Sequence, residues 1–312
     1  MKDQFGREIS YLRISVTDRC NFRCKYCMGE DGIKLLDHDD ILTFEEIVET
    51  AQIMAGLGIR KIRLTGGEPF ARRGVMDLIK KLSEIPEIED FAITTNGSMV
   101  YDKLESLKEY GISRINFSLD TLDRDKFKLI TGSDKLEEVQ RTIDKAIELG
   151  FKVKINAVLI KGFNDKEIGD FVELTIDSDI EVRFIELMPI GADLDFDRNN
   201  YKENLHILDG YRRKDLGFDG VARTFAIEGH KGRVGLISPL SHKFCKDCNR
   251  IRLTADGKLK ACLHSREEIS IKGLSLEEKK EIIRESIYKK PKSHRIGDFG
   301  SESARTMSSI GG

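Results

Sequence analysis

Cys20, Cys24 and Cys27 stand as C-x3-C-x2-C in the segment CNFRCKYC. Thiolates at this spacing can cap one face of a [4Fe–4S] cube while supplying three of its four ligands, which leaves one iron open to a chelating molecule. A closed zinc knuckle needs a fourth protein ligand close by, and neither Cys nor His follows Cys27 until His38. The remaining cysteines, Cys245, Cys248 and Cys262, form a second group, C-x2-C-x13-C. Two chemistries fit this group: a Cys3His zinc site completed by His264, or a second cube with an open iron. Arg250 and Arg252 lie beside it and share one face if their run is a strand. Such a pair suits a polyanionic ligand better than a structural zinc knob. Two groups of three thiols also fit a reducing compartment better than disulfides do.

Cations form the other constellation. Arg13, Arg63, Lys154 and Arg183 fall on β-rich runs, and burying them would be costly without a multiply charged anion such as a triphosphate. Two glycine-bearing turns complete the set, Gly66–Gly67–Glu68–Pro69 and Thr95–Asn96–Gly97. Glycine lets a ligand approach the backbone closely.

The elements that position these residues alternate. Strands are expected at Tyr11–Val16, Lys61–Thr65, Phe91–Thr95, Arg114–Leu119, Lys152–Leu159 and Glu181–Leu187, with helices near 43–57, 74–84, 102–110, 135–149 and 164–177. Thr43 and Glu46 make a capping box for the first of these helices. Six βα units with short connections roll a parallel sheet into a full or partial barrel. Its motif loops then share one rim. Five strands show a period of two, for example Leu12, Ile14 and Val16 against Arg13, Ser15 and Thr17, so the polar faces line a lumen that calls for a polar ligand. Residues 190–220 are turn-rich and poorly periodic, and a boundary is expected after 220. The chain then divides into 1–220, carrying the first cysteine group, and 221–312, carrying the second. Hairpin strands are expected at TFAIEG, RVGLIS and RIRLTADGKLKACL, with Asp256–Gly257 as the last turn and a helix near 275–290.

The 52 basic and 54 acidic residues nearly cancel, which argues against a general nucleic-acid or membrane-surface binder. The N-terminal MKDQFGREIS has no apolar core of a signal peptide, and no apolar run is long enough to span a bilayer. A cytoplasmic protein is expected.

With CNFRCKYC and GGEP one βα unit apart, the chain resembles the radical-SAM superfamily. From Leu12 to Gly312 it is similar to the GTP 3′,8-cyclase family, which opens molybdenum cofactor biosynthesis. The likeness is close at LRISVTDRCNFRCKYCM, IRLTGGEP, TTNG, INFSLD, EVRFIELM and NRIRLTADGKLKACL, and weak over 190–235. The resemblance implies an α/β fold: a partial (βα)6 barrel of parallel strands with a C-terminal second-cluster domain. It implies two [4Fe–4S] clusters and S-adenosylmethionine (SAM). Cleavage of SAM at the first cluster would give a 5′-deoxyadenosyl radical that takes the ribose C3′ hydrogen of GTP, and the C3′ radical would attack guanine C8.

The same resemblance assigns Tyr26, Gly67, Ser118 and Met188 to SAM, and Arg13, Arg63, Thr94, Lys154 and Arg183 to GTP. Cys245, Cys248 and Cys262 would hold a cube that grips guanine, with Arg250 and Arg252 on the reacting purine. The terminal Gly311 and Gly312 would thread into the barrel beside GTP. Implied partners are a flavodoxin or ferredoxin as electron donor and the cyclic pyranopterin monophosphate synthase that follows; a homodimer is compatible with the sequence. Two other classes stand beside this one: a radical-SAM enzyme with an auxiliary cluster acting on a peptide, and a nonenzymatic metal-binding adaptor.

Overall fold

The computed structural model describes residues 1–28, 34–190, 205–296 and 301–311. Strands β1 (Tyr11–Ser15), β2 (Lys61–Thr65), β3 (Asp90–Thr95), β4 (Arg114–Ser118), β5 (Lys152–Leu159) and β6 (Glu181–Glu186) lie side by side in chain order, each parallel to the next. The helices between them are α1 (Lys25–Met28), α2 (Phe44–Gly56), α3 (Val75–Ser83), α4 (Leu104–Glu109), α5 (Arg124–Thr131), α6 (Leu136–Glu148) and α7 (Ile168–Glu173). The capping box at Thr43 and Glu46 is formed. Helix α5 was not expected: the Asp123 side chain accepts from the Lys126 amide at 2.9 Å to start it, and Gly132, at φ 68°, ends it.

Alternation along the strands decides which face goes where. Leu12, Ile14, Ile62, Leu64, Ile93, Phe117 and Phe184 are all fully buried on the outer face beneath the helices. Each such side chain contributes about 1.5–3 kcal/mol on leaving water. The interleaved polar residues are thereby turned inward.

The C-terminal strands are β7 (Arg213–Asp219), β8 (Ala222–Ile227), β9 (Arg233–Ile237), β10 (Arg250–Leu253), β11 (Lys258–Lys260) and β12 (Ile269–Ser270), followed by α8 (Leu276–Tyr288) and α9 (Met307–Ile310). They extend the sheet at both edges instead of standing apart. β9 joins β6 in parallel and β10 joins β1 in parallel, giving the order β12-β11-β10-β1-β2-β3-β4-β5-β6-β9-β8-β7. The boundary expected after residue 220 falls in the turn between β7 and β8, two strands of one antiparallel ribbon. The stretch read as a connector holds β7 because its partner supplies the ordering. Every residue of β7 is exposed, so no apolar alternation marks it in the sequence. Among the described residues no helix is long and apolar enough to cross a membrane.

Candidate active site

The inward faces of the parallel strands enclose one cavity, lined by side chains from β1 through β6 and from β7, β9 and β10. Opposite edges of the sheet could not share a cavity unless the sheet were strongly curled. Register sets the chemistry of its wall. Arg13 is opposite Arg252 on one side and Arg63 on the other, and Tyr11 is likewise opposite Arg250 and Lys61. Adjacent strands lie only about 4.8 Å apart, so three guanidinium groups form one row. Nine Lys or Arg and two Asp line the cavity.

These cations are perturbed by burial and by one another. Burial and the neighbouring Arg252 and Arg63 push Arg13 well below its usual value. Arg63 and Arg252 are each lowered to about 10, with desolvation the main cause. Arg63 and Arg252 therefore remain charged at neutral pH, at a cost that an anion would relieve. The Arg63 guanidinium stands 5.6 Å from the centre of the Tyr11 ring, and with the Asn116 amide oxygen turned inward Arg63 donates to it at 2.9 Å. Among the described residues Arg250 Nε and Tyr11 Oη have no hydrogen-bond partner.

The opposite wall is different. Lys154 pairs with Glu181 at 2.9 Å and Asp219 at 2.5 Å, and Arg183 pairs with the same two carboxylates at 2.5 and 2.6 Å. A Cβ on Gly235 would come within 3.1 Å of Arg183 Cγ, so glycine there leaves room for the arginine. Asp219 comes from the end of β7, and the two cations hold its carboxyl down to about 2 against the cost of partial desolvation. Thr94 lies off this wall, half-buried beside Asn116.

The first cysteine group sits at the rim formed by the C-terminal ends of the strands, in the loop after β1 and on α1. Cys20 Sγ accepts from the Phe22 amide at 3.4 Å and the Asn96 side chain at 3.8 Å. Burial raises Cys20 to about 11 and Cys27 to about 12; Cys24 is also raised by burial and by the proximity of Cys27. These thiols are mutually close, free of disulfides and supplied with N–H donors, a donor set that fits a cluster whose iron provides the charge needed to deprotonate them.

Gly66 and Gly67 press against this loop. The Gly67 amide donates to Thr17 O at 2.6 Å and the Glu68 amide to Arg19 O at 2.8 Å, and a Cβ on Gly67 would collide with Arg19 O. Glu68, fully buried and raised by desolvation to about 7, accepts from Phe70 N, Thr95 Oγ1 and Asn96 N at 2.7–3.1 Å. The GGEP and TTNG turns are thus bolted together beneath Cys20. Tyr26 donates to Asp120 at 2.7 Å just past Ser118 at the end of β4, and Met188 follows β6 into the cavity lining. Tyr26, Gly67, Ser118 and Met188 therefore share one rim.

Cys245, Cys248 and Cys262 line the cavity itself. Lys290, 3 % exposed, donates to Arg250 O at 2.7 Å and to Ala261 O. Burial pushes the Cys248 thiol up, but Lys290 and Arg250 outweigh it and leave the thiol below its ordinary value. His264 lines the same cavity; its Nδ1 faces Ser301 Oγ at 3.3 Å and its ring packs 5.0 Å from that of His294. Arg7 reaches Cys245 O at 2.7 Å.

The tail arrives between the two cysteine groups. α9 packs on α1, Met307 lines the cavity, and the Gly311 carbonyl accepts from Arg252 at 2.8 Å. Gly311 has φ 72°, and a Cβ there would strike Thr65 Oγ1 and approach Ser15 Cβ to 3.1 Å, so no larger residue fits. Gly312 lies outside the described residues.

Alternation placed Lys61 on the lumen face with Arg63, and Lys61 lines the cavity, whereas sequence reasoning missed Tyr11, Arg114, Asp219 and Lys290 as lining residues. Tyr11 and Arg114 were within reach, since they alternate with recognised positions on the same strand faces. Asp219 and Lys290 carry no local signal.

The radical SAM superfamily model matches residues 14–175, and the Molybdenum Cofactor Synthesis C model matches residues 180–296. The GTP 3′,8-cyclase of Clostridium perfringens strain 13 is 46 % identical over 323 aligned residues, with all of both chains covered. That of Alkaliphilus oremlandii is 45 % identical over 320, again covering both chains in full. That of Listeria monocytogenes EGD-e is 43 % identical over 334, covering all of this chain and 99 % of its own. Among solved structures, Streptococcus suis SuiB superposes with a TM-score of 0.63 at 14 % identity over 91 % of this chain and 66 % of its own. Native anSMEcpe with bound AdoMet gives 0.60 at 15 % over 90 % and 81 %. These two likenesses establish the fold. The shared barrel, the rim cysteines and the full-length identity lead to one assignment: the chain belongs to the radical SAM superfamily and, within it, to the GTP 3′,8-cyclase family.

Proposed function

We infer that this chain converts GTP to (8S)-3′,8-cyclo-7,8-dihydroguanosine 5′-triphosphate, the first step of molybdenum cofactor biosynthesis. The observation that carries this reading is the cavity with nine basic residues against two aspartates, flanked by the second cysteine group. A neutral or peptide substrate has no use for so much positive charge. Cys20, Cys24 and Cys27 would hold a [4Fe–4S] cluster that, when bound, would supply the electron for reductive cleavage of SAM; the resulting 5′-deoxyadenosyl radical would take the C3′ hydrogen, C3′ would bond to guanine C8, and a second electron with a proton would complete the 7,8-dihydro product.

The protein's own part is positioning. Tyr26, Gly67, Ser118 and Met188 hold SAM at the rim. Arg13, Arg63, Thr94, Lys154 and Arg183 bind the nucleotide, mainly through its phosphates, while Arg250 and Arg252 stabilise charge developing on the purine. Cys245, Cys248 and Cys262 would hold a second [4Fe–4S] cluster, which when bound would supply a site for guanine, and the Lys290 and Arg250 charges favour the Cys248 thiolate. Fixing C8 near C3′ makes the bond-forming step effectively unimolecular. The tail that ends in Gly311 and Gly312 threads in beside the substrate, where Gly311 meets Arg252. A flavodoxin or ferredoxin supplies electrons, and the product passes to a cyclic pyranopterin monophosphate synthase.

Anaerobic incubation with SAM, GTP and dithionite, followed by mass analysis, should yield the cyclised nucleotide with 5′-deoxyadenosine. Absence of that product from iron-loaded protein overturns the reading. Reconstituted protein should hold about eight irons per chain, falling by about half when Cys20, Cys24 and Cys27 are replaced together. About four irons with zinc bound at Cys245, Cys248, Cys262 and His264 would sink the two-cluster account.

A further inference from the structure

The tail is anchored by charge before it reaches the cavity. Arg305 Nε donates to both carboxylate oxygens of Glu268 at 2.7 and 2.9 Å, and its Nη2 donates to Asp256 at 2.7 Å. The three side chains are only 12–15 % exposed. Lys260, with no exposed surface, pairs with the same Glu268 at 2.9 Å and reaches Ser303 Oγ at 3.4 Å. Asp256 and Glu268 belong to the β10–β11–β12 ribbon, which also carries Arg252 and leads to Cys262. Six residues beyond the anchor, Gly311 meets Arg252, Ser15 and Thr65. Between anchor and tip, α9 rests on α1, where Ser308 is hydrogen-bonded to Cys27.

Little else holds this segment. Ile310 is the one buried apolar side chain among residues 301–311, so hydrophobic burial offsets only part of the entropy lost in ordering a terminus rich in Ser and Gly. A forked, partly desolvated guanidinium fixes direction as well as attachment, which a flexible ammonium does less well. We propose that Arg305 is a positioning residue for the cyclisation: its grip on Asp256 and Glu268 sets how far Gly311 reaches into the cavity and couples the tail to the ribbon bearing the second cysteine group. This rests on the reading that the tail stands beside the nucleotide.

The test uses iron-loaded, full-length Arg305→Ala and Arg305→Lys beside a chain lacking Gly311 and Gly312. Hydrogen exchange of amides 306–311 should quicken about tenfold or more in Arg305→Ala while α2 and α6 keep their protection, as loss of a local anchor and not of the fold predicts. The Ala variant should release 5′-deoxyadenosine without cyclised product, as the truncated chain does, with GTP affinity within about threefold of the unmodified protein. Arg305→Lys should lie between. Tail amides that stay protected, or full product formation by Arg305→Ala while the truncated chain makes none, overturn the proposal. Full product from the truncated chain instead overturns the tail reading, and exchange at 306–311 still decides whether Arg305 is the anchor.

Discussion

The two walls of the cavity solve the problem of buried positive charge differently. On the β5–β6 wall, Lys154 and Arg183 share Glu181 and Asp219. On the β10–β1–β2 wall, Arg252, Arg13 and Arg63 stand in one register row, where burial and the two neighbouring guanidinium groups lower the proton affinity of Arg13. The first wall is neutralised from within. The second sets three guanidinium groups side by side, and contact energy with a bound anion should therefore concentrate there. Asp219 sharpens the contrast, because it occupies the two cations that a phosphate on its side would use.

The comparison is most exposed to removal of Arg252. Arg252→Ala should retain iron and SAM binding but lose roughly 10²–10³ in cyclisation rate, through loss of a preorganised charge and of the bond to Gly311. Wild-type turnover would make the arginine row a structural feature only. Next is Arg63→Ala, for which GTP affinity should fall about 10–100-fold, the range of a charge-assisted hydrogen bond, and guanosine affinity much less. Equal losses for both ligands would remove the phosphates from this wall. Lys154→Ala should weaken GTP binding by only about threefold, since its charge is already shared with Glu181 and Asp219. A drop as large as that of Arg63→Ala would erase the difference between the walls. Smallest and opposite in sign is Asp219→Asn. Titration calorimetry should show GTP binding about twofold tighter, as expected when a half-exposed carboxylate stops competing for Lys154 and Arg183, with guanosine unchanged. Weaker GTP binding would mean that Asp219 helps the nucleotide instead of standing in for it.

The strand faces were legible because alternation with a period of two has one reading when helices cover one side. That alternation alone puts Arg13, Arg63 and Lys154 on a lumen face. The cysteine triads and the GGEP turn were legible from spacing. The reason for the two glycines was only half legible: ligand approach explains one side of the turn, whereas the close packing of Thr17–Arg19 explains the other. Helix α5 was missed although Asp123 and Gly132 mark its ends, because apolar periodicity over eight residues is weak evidence.

By itself the sequence determined local matters: which residues alternate, where helices begin, which thiols are close along the chain and that cations accumulate on strands. Each depends on neighbours a few residues apart. Only the tertiary structure decided that β9 and β10 extend the six parallel strands at either side of one sheet, that Asp219 from an exposed ribbon reaches Lys154 65 residues away, and that Arg305 holds the tail against Glu268 and Asp256. Those pairings join segments with no shared periodicity. The first two exist because curling a parallel sheet brings its distant strands to one lumen, where charge must be balanced by whatever side chain or ligand the fold delivers, and the third because the chain returns past the β10–β11–β12 ribbon.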